Sequence, residues 1–316
     1  MEEHCESIPR QKPAYGLHVG LFLATCVTTF LSGSGFGADF DAVRGFYFSG
    51  TIMAILLCHV MGHYWVARHH GINASLPYFI PLPPVISLGT LGAVIQMDEP
   101  IADRNKLIDV GAAGPLAGLA IAIPLLLYGL SLSPLAITEP DQGAMVEGNS
   151  ILYLALKFMV HGLFLPNQNG LDVQLHPMAF AAWVGLLITM INLLPIGQLD
   201  GGHIACAALG DKHESFSRRF HWLLLAVGAL VVLWLALSLA SRGASLASAL
   251  PIALKAGMPW LVWAVMLLVM RRMSGGRYHP PVGPQPLSRG RFRLVLVMIF
   301  ILVVLFTPIP LREAMP

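Results

Sequence analysis

Long apolar segments alternate along the chain with short polar loops. At 1.5 Å of rise per residue, most of these segments are long enough for a helix to cross the roughly 30 Å hydrocarbon core of a bilayer. We predict membrane helices at 15–32, 45–67, 108–130, 178–194, 220–239, 258–270 and 294–308, of which 258–270 is short. The pattern therefore predicts an all-α polytopic membrane protein with about six to seven transmembrane helices.

A further apolar stretch, 151–165, is too short to span comfortably and contains Lys157 and His161, so we interpret it as interfacial or re-entrant. Threading seven spans places most of the 19 lysines and arginines on the side of the N-terminus and of loops 68–106, 211–219 and 271–293. Counting 151–165 as a span would remove that asymmetry. The positive-inside rule therefore predicts that the N-terminus is cytoplasmic.

The segment between the second and third helices, 72–100, has a different pattern. Its prolines exclude a continuous helix, while Thr90–Met97 is rich in residues that favour strands. We predict a small re-entrant or membrane-associated β-hairpin. An open strand edge cannot face lipid, so the edge would be buried or line a wet cavity, where it can accept an extended peptide. The alternative is a hairpin that only connects two helices.

Composition supports the membrane assignment and narrows the partners. Hydrophobic residues make up 56% of the chain, charged residues 11%, and the mean hydropathy is +0.70, which predicts a lipid bilayer as the environment. A net charge of +2 gives no indication of nucleic acid. The four cysteines are isolated from one another, and we interpret them as packing residues.

Candidate chemistry lies in the predicted helix 45–67, where His59 and His63 are four residues apart. That spacing places both imidazoles on one helix face, as in a zinc site, although two such histidines can also form an interhelical hydrogen-bonded pair. Asp200 lies at the same predicted end, in a stretch whose proline and glycines are expected to unwind the helix and let the carboxylate point inward. It is the candidate third ligand. His203 is a candidate outer-shell partner or alternative ligand.

Four motifs in this order resemble the site-2 protease family of intramembrane zinc metalloproteases. They are the two-histidine helix, the run Gly89–Ile95, the run Asp109–Gly118, and the stretch from Asn192 through Asp200-Gly-Gly. From its residues alone, we interpret the small-residue part of Asp109–Gly118 as a helix-packing surface. The resemblance covers roughly residues 15–240.

The resemblance implies Zn²⁺ held by His59, His63 and Asp200, with Asn192 assisting the oxyanion or positioning the substrate. It also implies a strand that contacts substrate through Gly89, Thr90, Leu91, Gly92, Ala93, Val94 and Ile95. Clients would be transmembrane or membrane-adjacent regulatory proteins such as an anti-sigma factor. The expected location is a bacterial inner membrane, with the metal-site end cytoplasmic.

These interpretations divide the chain into three parts. Residues 1–14 are a predicted cytoplasmic tail, and 15–240 form the membrane core. Within the core are the metal helix 45–67, the hairpin 72–100 and the aspartate-bearing segment 178–203. Residues 241–316 hold the C-terminal transmembrane helices and the basic loop 271–293.

One position departs from the family pattern. The general-base glutamate would stand at position 60, which is valine in this chain. Since a general base typically contributes about 10²- to 10⁴-fold in rate, we predict that proteolysis is absent or strongly impaired. The alternatives are a non-cleaving pseudoprotease that binds membrane clients and a metal-ion transporter. The sequence identifies neither the substrate nor the oligomeric state.

Overall fold

The structure is a computed structural model that describes residues 15–84, 87–137, 145–167 and 170–313. The described helices are α1 Tyr15–Ser34, α2 Ala42–His69, α3 Arg104–Ser131, α4 Ile151–His161, α5 Pro177–Asn192, α6 Asp200–Leu209, α7 His213–Ser241, α8 Leu246–Met273 and α9 Arg289–Leu305. The described strands are β1 Tyr78–Pro81, β2 Thr90–Val94, β3 Leu135–Ile137, β4 Met145–Glu147, β5 Leu171–Val173 and β6 Leu311–Glu313. The predicted tail 1–14 lies outside the described residues.

Five helical segments are long and apolar enough to cross a membrane: α1, α2, α3, the continuous Asp200–Ser241 segment, and α8. Together with the small size of the sheets, they confirm the prediction of an all-α polytopic membrane protein. The seven predicted spans coincide with α1, α2, α3, α5, α7, α8 and α9, although α5 and α9 have only 16 and 17 residues. Stretch 151–165 contains α4, whose 11 residues are too few to span a bilayer.

The prediction was too short at 258–270, because α8 extends over 28 residues and continues through Pro251 and Pro259. Membrane helices tolerate internal proline where neighbouring groups satisfy the freed carbonyls. The aspartate-bearing segment 178–203 is interrupted where its proline and glycines predict the end of a helix. Residues 193–199 form a loop, and Asp200 is the first residue of a new helix, α6.

The bundle has two ends, and α3 lies at its centre, packed against α2, α4, α5, α6 and α9. At one end, which we call the histidine end, α2 and α8 finish while α3 and α9 begin. There Arg291 of α9 donates to Asp109 of α3 over 2.8 Å, and His70 lies 3.0 Å from the same carboxylate. At the opposite end, the far end, α1 and α3 finish while α2 and α5 begin.

The β1–β2 hairpin lies along α1 and reaches from the histidine end to the far end. His18 donates to the Pro77 carbonyl at 3.0 Å near the start of α1, and Ser32 donates to the Ser87 carbonyl at 3.3 Å near its end. The 14 residues between these two contacts correspond to about 21 Å of helix. Gly89 lies against α1, where a side chain would overlap the Thr28 backbone. Its φ of +86° also favours glycine. The hairpin therefore runs inside the bundle's length, as a re-entrant segment does.

A buried ion cluster holds the small elements of the far end together. Lys157 of α4 is fully buried, and its ammonium lies 3.1 Å from Glu147 Oε1 and 2.9 Å from Asp172 Oδ1. Tyr153 donates to Glu147 at 3.0 Å, and burial together with Glu147 raises the pKa of Tyr153 well above its usual 10. Because Asp172 lies on β5 and Glu147 on β4, the cluster fixes α4 against both small sheets.

Candidate metal centre

His59 and His63 lie on the inward face of α2, where they are 7% and 9% exposed. Their Nε2 atoms are 3.1 Å apart, which is the convergence that the i, i+4 spacing predicts for one helix face. Arg68 and His69 close the same helix at the histidine end. His63 is therefore about 9 Å inside the last residue of α2, and His59 about 15 Å.

Asp200 is carried to these histidines by the turn between α5 and α6. Its Oδ2 lies 3.1 Å from His59 Nε2, and its Oδ1 lies 3.2 Å from His63 Nε2. The two glycines after it allow α6 to begin so close to the preceding loop, because a side chain on Gly201 or Gly202 would overlap the carbonyls of Leu193 or Gly197. The first turn of a helix also favours a negative charge.

Glycines of α3 leave the space that the two imidazoles occupy. A Cβ on Gly114 would lie 2.0 Å from His63 Nε2, and one on Gly118 would lie 3.2 Å from His59 Nδ1. In return, Gly62 of α2 sits close to α3, where a side chain would lie 2.7 Å from the Ala113 carbonyl. The small-residue run of α3 thus allows α2 and α3 to pack closely, as interpreted from the sequence. It also leaves the space that the two imidazoles occupy.

The donor set fits a divalent cation. The Nδ1–H of His63 donates to the Val110 carbonyl at 2.8 Å, which leaves a lone pair on Nε2. Asp200 Oδ2 is buried and accepts no hydrogen bond from the described residues, although His59 Nε2 is 3.1 Å away. His59, His63 and Asp200 thus form a buried group whose ligand atoms all lie within 4.8 Å of one another.

The separations between the three ligand atoms are compatible with zinc. Tetrahedral zinc with bonds of about 2.0 to 2.1 Å holds its nitrogen and oxygen ligands about 3.3 Å apart. The three separations are 3.1, 3.1 and 3.2 Å. The carbonyl of Val110 is an orienting group that sequence reasoning missed. The signal that could have found it is the Asp109–Gly118 run, whose glycines require a neighbour that approaches the α3 backbone.

Position 60 holds no acid and faces no water, because Val60 is 1% exposed and packs in the apolar core. Four carboxylates close to the site in sequence or topology are either exposed or hydrogen-bonded to other groups. Asp98 and Glu99 are exposed, and Asp103 caps α3 by accepting from two backbone amides. Glu214 accepts from Arg271 and from the Tyr278 amide.

His203 contacts the loop between α8 and α9 and does not belong to the group formed by His59, His63 and Asp200. Its Nδ1 lies 2.7 Å from Nε2 of His279, whose Nδ1–H donates to the Pro280 carbonyl at 2.7 Å. Burial lowers the pKa of His279. His203 therefore joins the end of the site to the 274–288 loop.

The predicted substrate-contacting groups have unused hydrogen-bonding capacity. Asn192 is the last residue of α5, and within the described chain its side-chain amide makes no hydrogen bond. Strand β2 pairs with β1 along one edge, and no described strand pairs with its other edge. Leu91 and Val94 on β2 are 53% and 51% exposed. An added strand would find both backbone groups and apolar side chains there.

Two histidines and a carboxylate converge inside a bundle of apolar helices, which is the ligand arrangement of a candidate zinc site. Residues 47–235 match the family model described as Peptidase family M50. The chain therefore belongs to peptidase family M50, the site-2 protease family, as the sequence resemblance indicated, and the family implies Zn²⁺.

Curated relatives extend the comparison to plant proteins. The chain is 36% identical over 166 residues to "Probable zinc metalloprotease EGY1, chloroplastic" of Arabidopsis thaliana, covering 51% of this chain and 29% of that protein. It is 35% identical over 190 residues to "Probable zinc metalloprotease EGY2, chloroplastic" of Oryza sativa subsp. indica, covering 59% and 33% respectively. The chain thus spans about a third of the length of these relatives.

A third relative is "Probable zinc metallopeptidase EGY3, chloroplastic" of Arabidopsis thaliana, which is 28% identical over 236 residues and covers 66% of this chain and 39% of that protein. No solved structure matches the chain. The chain is a multi-pass membrane protein by its helices, while the relatives' names are chloroplastic and give no support to a bacterial inner membrane.

Proposed function

We propose that this chain is a site-2-protease-type scaffold that holds zinc through His59, His63 and Asp200 and binds a membrane-protein segment, but hydrolyses peptide bonds poorly or not at all. The observation that carries the proposal is the contrast within one turn of α2. His59 faces two other acceptor groups, while the neighbouring Val60 is buried among apolar side chains.

The chemistry of the site explains the impairment. Zinc held by His59, His63 and Asp200 would supply Lewis acidity at the scissile carbonyl. Delivering a proton to the leaving amine would be the task of a titratable side chain at position 60. Valine cannot serve, and the nearby acids Asp98, Glu99, Asp103 and Glu214 are exposed or already bonded. Substrate positioning falls to the free edge of β2 and to the Asn192 amide.

The chain would then bind a membrane client without cleaving it, as a pseudoprotease does. The client would be a transmembrane or membrane-adjacent regulatory protein, for which an anti-sigma factor is one example. The free edge of β2 supports this reading, because pairing with an extended segment depends on backbone groups and does not involve position 60.

The histidine end also supports the predicted orientation. Hydrogen bonds gather the starts of α3 and α9 at this end, where Arg104, Lys106 and Arg291 lie. Basic residues concentrate on the cytoplasmic side of membrane proteins. We therefore propose that the histidine end faces the cytoplasm or, in a plastid, the equivalent stroma; a bacterial inner membrane remains our prediction for the location.

The test pairs the unmodified chain with its Val60→Glu variant. Both proteins are purified, assayed for zinc, and incubated with a membrane client that a close relative cleaves. We expect about one zinc in each protein and a cleavage rate at least about 10²-fold higher in Val60→Glu. A Val60→Gln variant, similar in size but without a base, should stay inactive. Equal cleavage by the unmodified chain and Val60→Glu would show that Val60 does not limit the reaction.

A further inference from the structure

The far end holds a cavity of about 710 Å³, on the side of the bundle away from the metal centre. Its wall includes Arg44 and Phe48 at the start of α2. From Arg44 to His59 is 15 residues of continuous helix, or about 22 Å. The cavity is thus separate from the metal centre and has no part in the chemistry proposed above.

The cavity begins where the substrate strand begins. Leu88 lines the cavity and is two residues from Thr90, the first residue of β2. The chain is fixed at this point, because Thr28 of α1 donates to the Gly89 carbonyl at 2.6 Å. Residues advance by about 3.3 Å along a strand. A peptide paired along β2 therefore enters the cavity within about two residues of passing Thr90.

Among the described residues of the wall, apolar side chains lie beside a few polar ones and one charged side chain without an ion-pair partner. Ile137 of β3 is 68% exposed although it is apolar. The two acids in the wall, Glu147 and Asp172, are bonded to Lys157. Arg44 is exposed and has no ion-pair partner among the described residues. The lining therefore suits an apolar peptide that places one carboxylate near Arg44.

We propose that this cavity binds the flank of a membrane client on the side of the far end, as an extended apolar segment with one acidic residue that pairs with Arg44. The inference rests on the proposed docking of the client along β2 and adds a second recognition site to it. Flanks on the non-cytoplasmic side of membrane helices are poor in lysine and arginine, which suits a site with a cationic rim.

The test uses synthetic membrane peptides as the probe, with the full chain reconstituted in phosphatidylcholine bilayers. Each peptide has about 20 apolar residues, a helix-breaking Gly-Pro pair near one end, and a short flank with one glutamate, one lysine, or no flank. A photoreactive residue is placed at Leu91 on β2, at Ile137 in the cavity, or at Ile151, an exposed apolar control on α4. The crosslinked peptide residue is mapped by mass spectrometry.

We expect every peptide to crosslink at Leu91, and only the flanked peptides to crosslink at Ile137 above the Ile151 background. The glutamate flank should exceed the lysine flank by up to about fivefold, the ratio for an exposed ion pair. Arg44→Glu should reverse that preference. Arg242→Glu, which changes an exposed cation at the end of α7, should leave it unchanged.

The outcomes separate this inference from the proposed function. Crosslinks at Leu91 without any at Ile137 would overturn the cavity proposal and leave strand docking intact. Crosslinks at neither position would overturn both. Crosslinks at Ile137 that are equally strong with and without a flank would contradict the assignment of the cavity to the peptide flank. Crosslinks at Ile137 that disappear when anionic lipid is added to the bilayer would identify the cavity as a lipid site and would also contradict the peptide assignment.

Discussion

Among the described residues, two of the buried clusters of ionisable groups balance their charges in opposite ways. At the far end, the ammonium of Lys157 lies between the carboxylates of Glu147 and Asp172. At the metal centre, Asp200 faces the two Nε2 atoms of His59 and His63, with no lysine or arginine in the group. The first cluster contains its own cation, whereas the second consists of acceptors directed at one point.

The difference distinguishes a structural cluster from a functional one. Buried charges are retained when they are paired and hydrogen-bonded, and Lys157 satisfies that condition with partners from two small sheets. Converging acceptors without a cation repel one another unless a metal or protons join them. Asp200 Oδ2, buried and without a hydrogen bond from the described residues, marks the metal centre as the incomplete cluster.

The largest expected effect comes from removing the cation of the far-end cluster. Lys157→Met leaves two buried carboxylates without compensation, so we expect it to lower the free energy of unfolding by about 3 to 5 kcal/mol. Denaturant unfolding in detergent micelles measures the change. Arg242→Met, which changes an exposed cation directly after α7, should stay within about 0.5 kcal/mol of the unmodified chain. A Lys157→Met variant as stable as that control would contradict the structural role.

Zinc should have the next largest effect, and only at the second cluster. At a free zinc concentration about 100 times the Kd, binding to the folded state adds about 2.7 kcal/mol of stability. The shift in melting temperature between chelated and zinc-loaded protein measures it. Asp200→Ala should remove the shift, while Asp172→Asn should lower the baseline stability and keep the shift. A zinc shift that survives in Asp200→Ala would place the metal elsewhere.

A smaller effect should follow from filling the space beside His63. In Gly114→Ala the new Cβ would lie 2.0 Å from His63 Nε2, so the imidazole has to move away from Asp200. We expect zinc affinity to fall at least about tenfold, the lower range for disturbing a ligand's support. Titration against a chromophoric chelator measures it. Gly20→Ala on α1, where a Cβ meets nothing within 4 Å, is the matched control, and equal affinities in the two variants would argue against the predicted clash.

The smallest effect should come from the hydroxyl that completes the far-end cluster. Tyr153→Phe removes the 3.0 Å hydrogen bond to Glu147 and keeps Lys157 in place. We expect a loss of about 1 kcal/mol in unfolding free energy with zinc content unchanged. Denaturant unfolding and metal analysis on the same preparation measure the unfolding free energy and the zinc content. A change in zinc content would mean that the two clusters are coupled.

Much of the fold and of the metal centre followed from sequence because each rests on a local pattern. Apolar length predicted the spans, and the i, i+4 spacing placed His59 and His63 together. Asp200 required one further step, the topology that brings the end of α5 to the end of α2. The run that precedes it, with proline and glycine, correctly indicated a break in the helix.

The parts that the sequence did not predict depend on long-range packing. Lys157 was a reason to reject a span, but its partners Glu147 and Asp172 lie on separate short strands with no periodic signal. The Val110 carbonyl is a backbone group, so no residue type marks it. Likewise, the path of the hairpin along α1 depends on contacts from His18 and Ser32 that are visible only after folding.

If His59, His63 and Asp200 hold zinc although no general base stands at position 60, zinc K-edge X-ray absorption on the purified chain should show it. We expect about one zinc per chain, with nitrogen and oxygen neighbours at about 2.0 to 2.1 Å, imidazole scattering from two histidines, and loss of this signal in His59→Ala. A purified chain without zinc, or a zinc site with sulfur neighbours at about 2.3 Å, would show that these three residues do not form a zinc site.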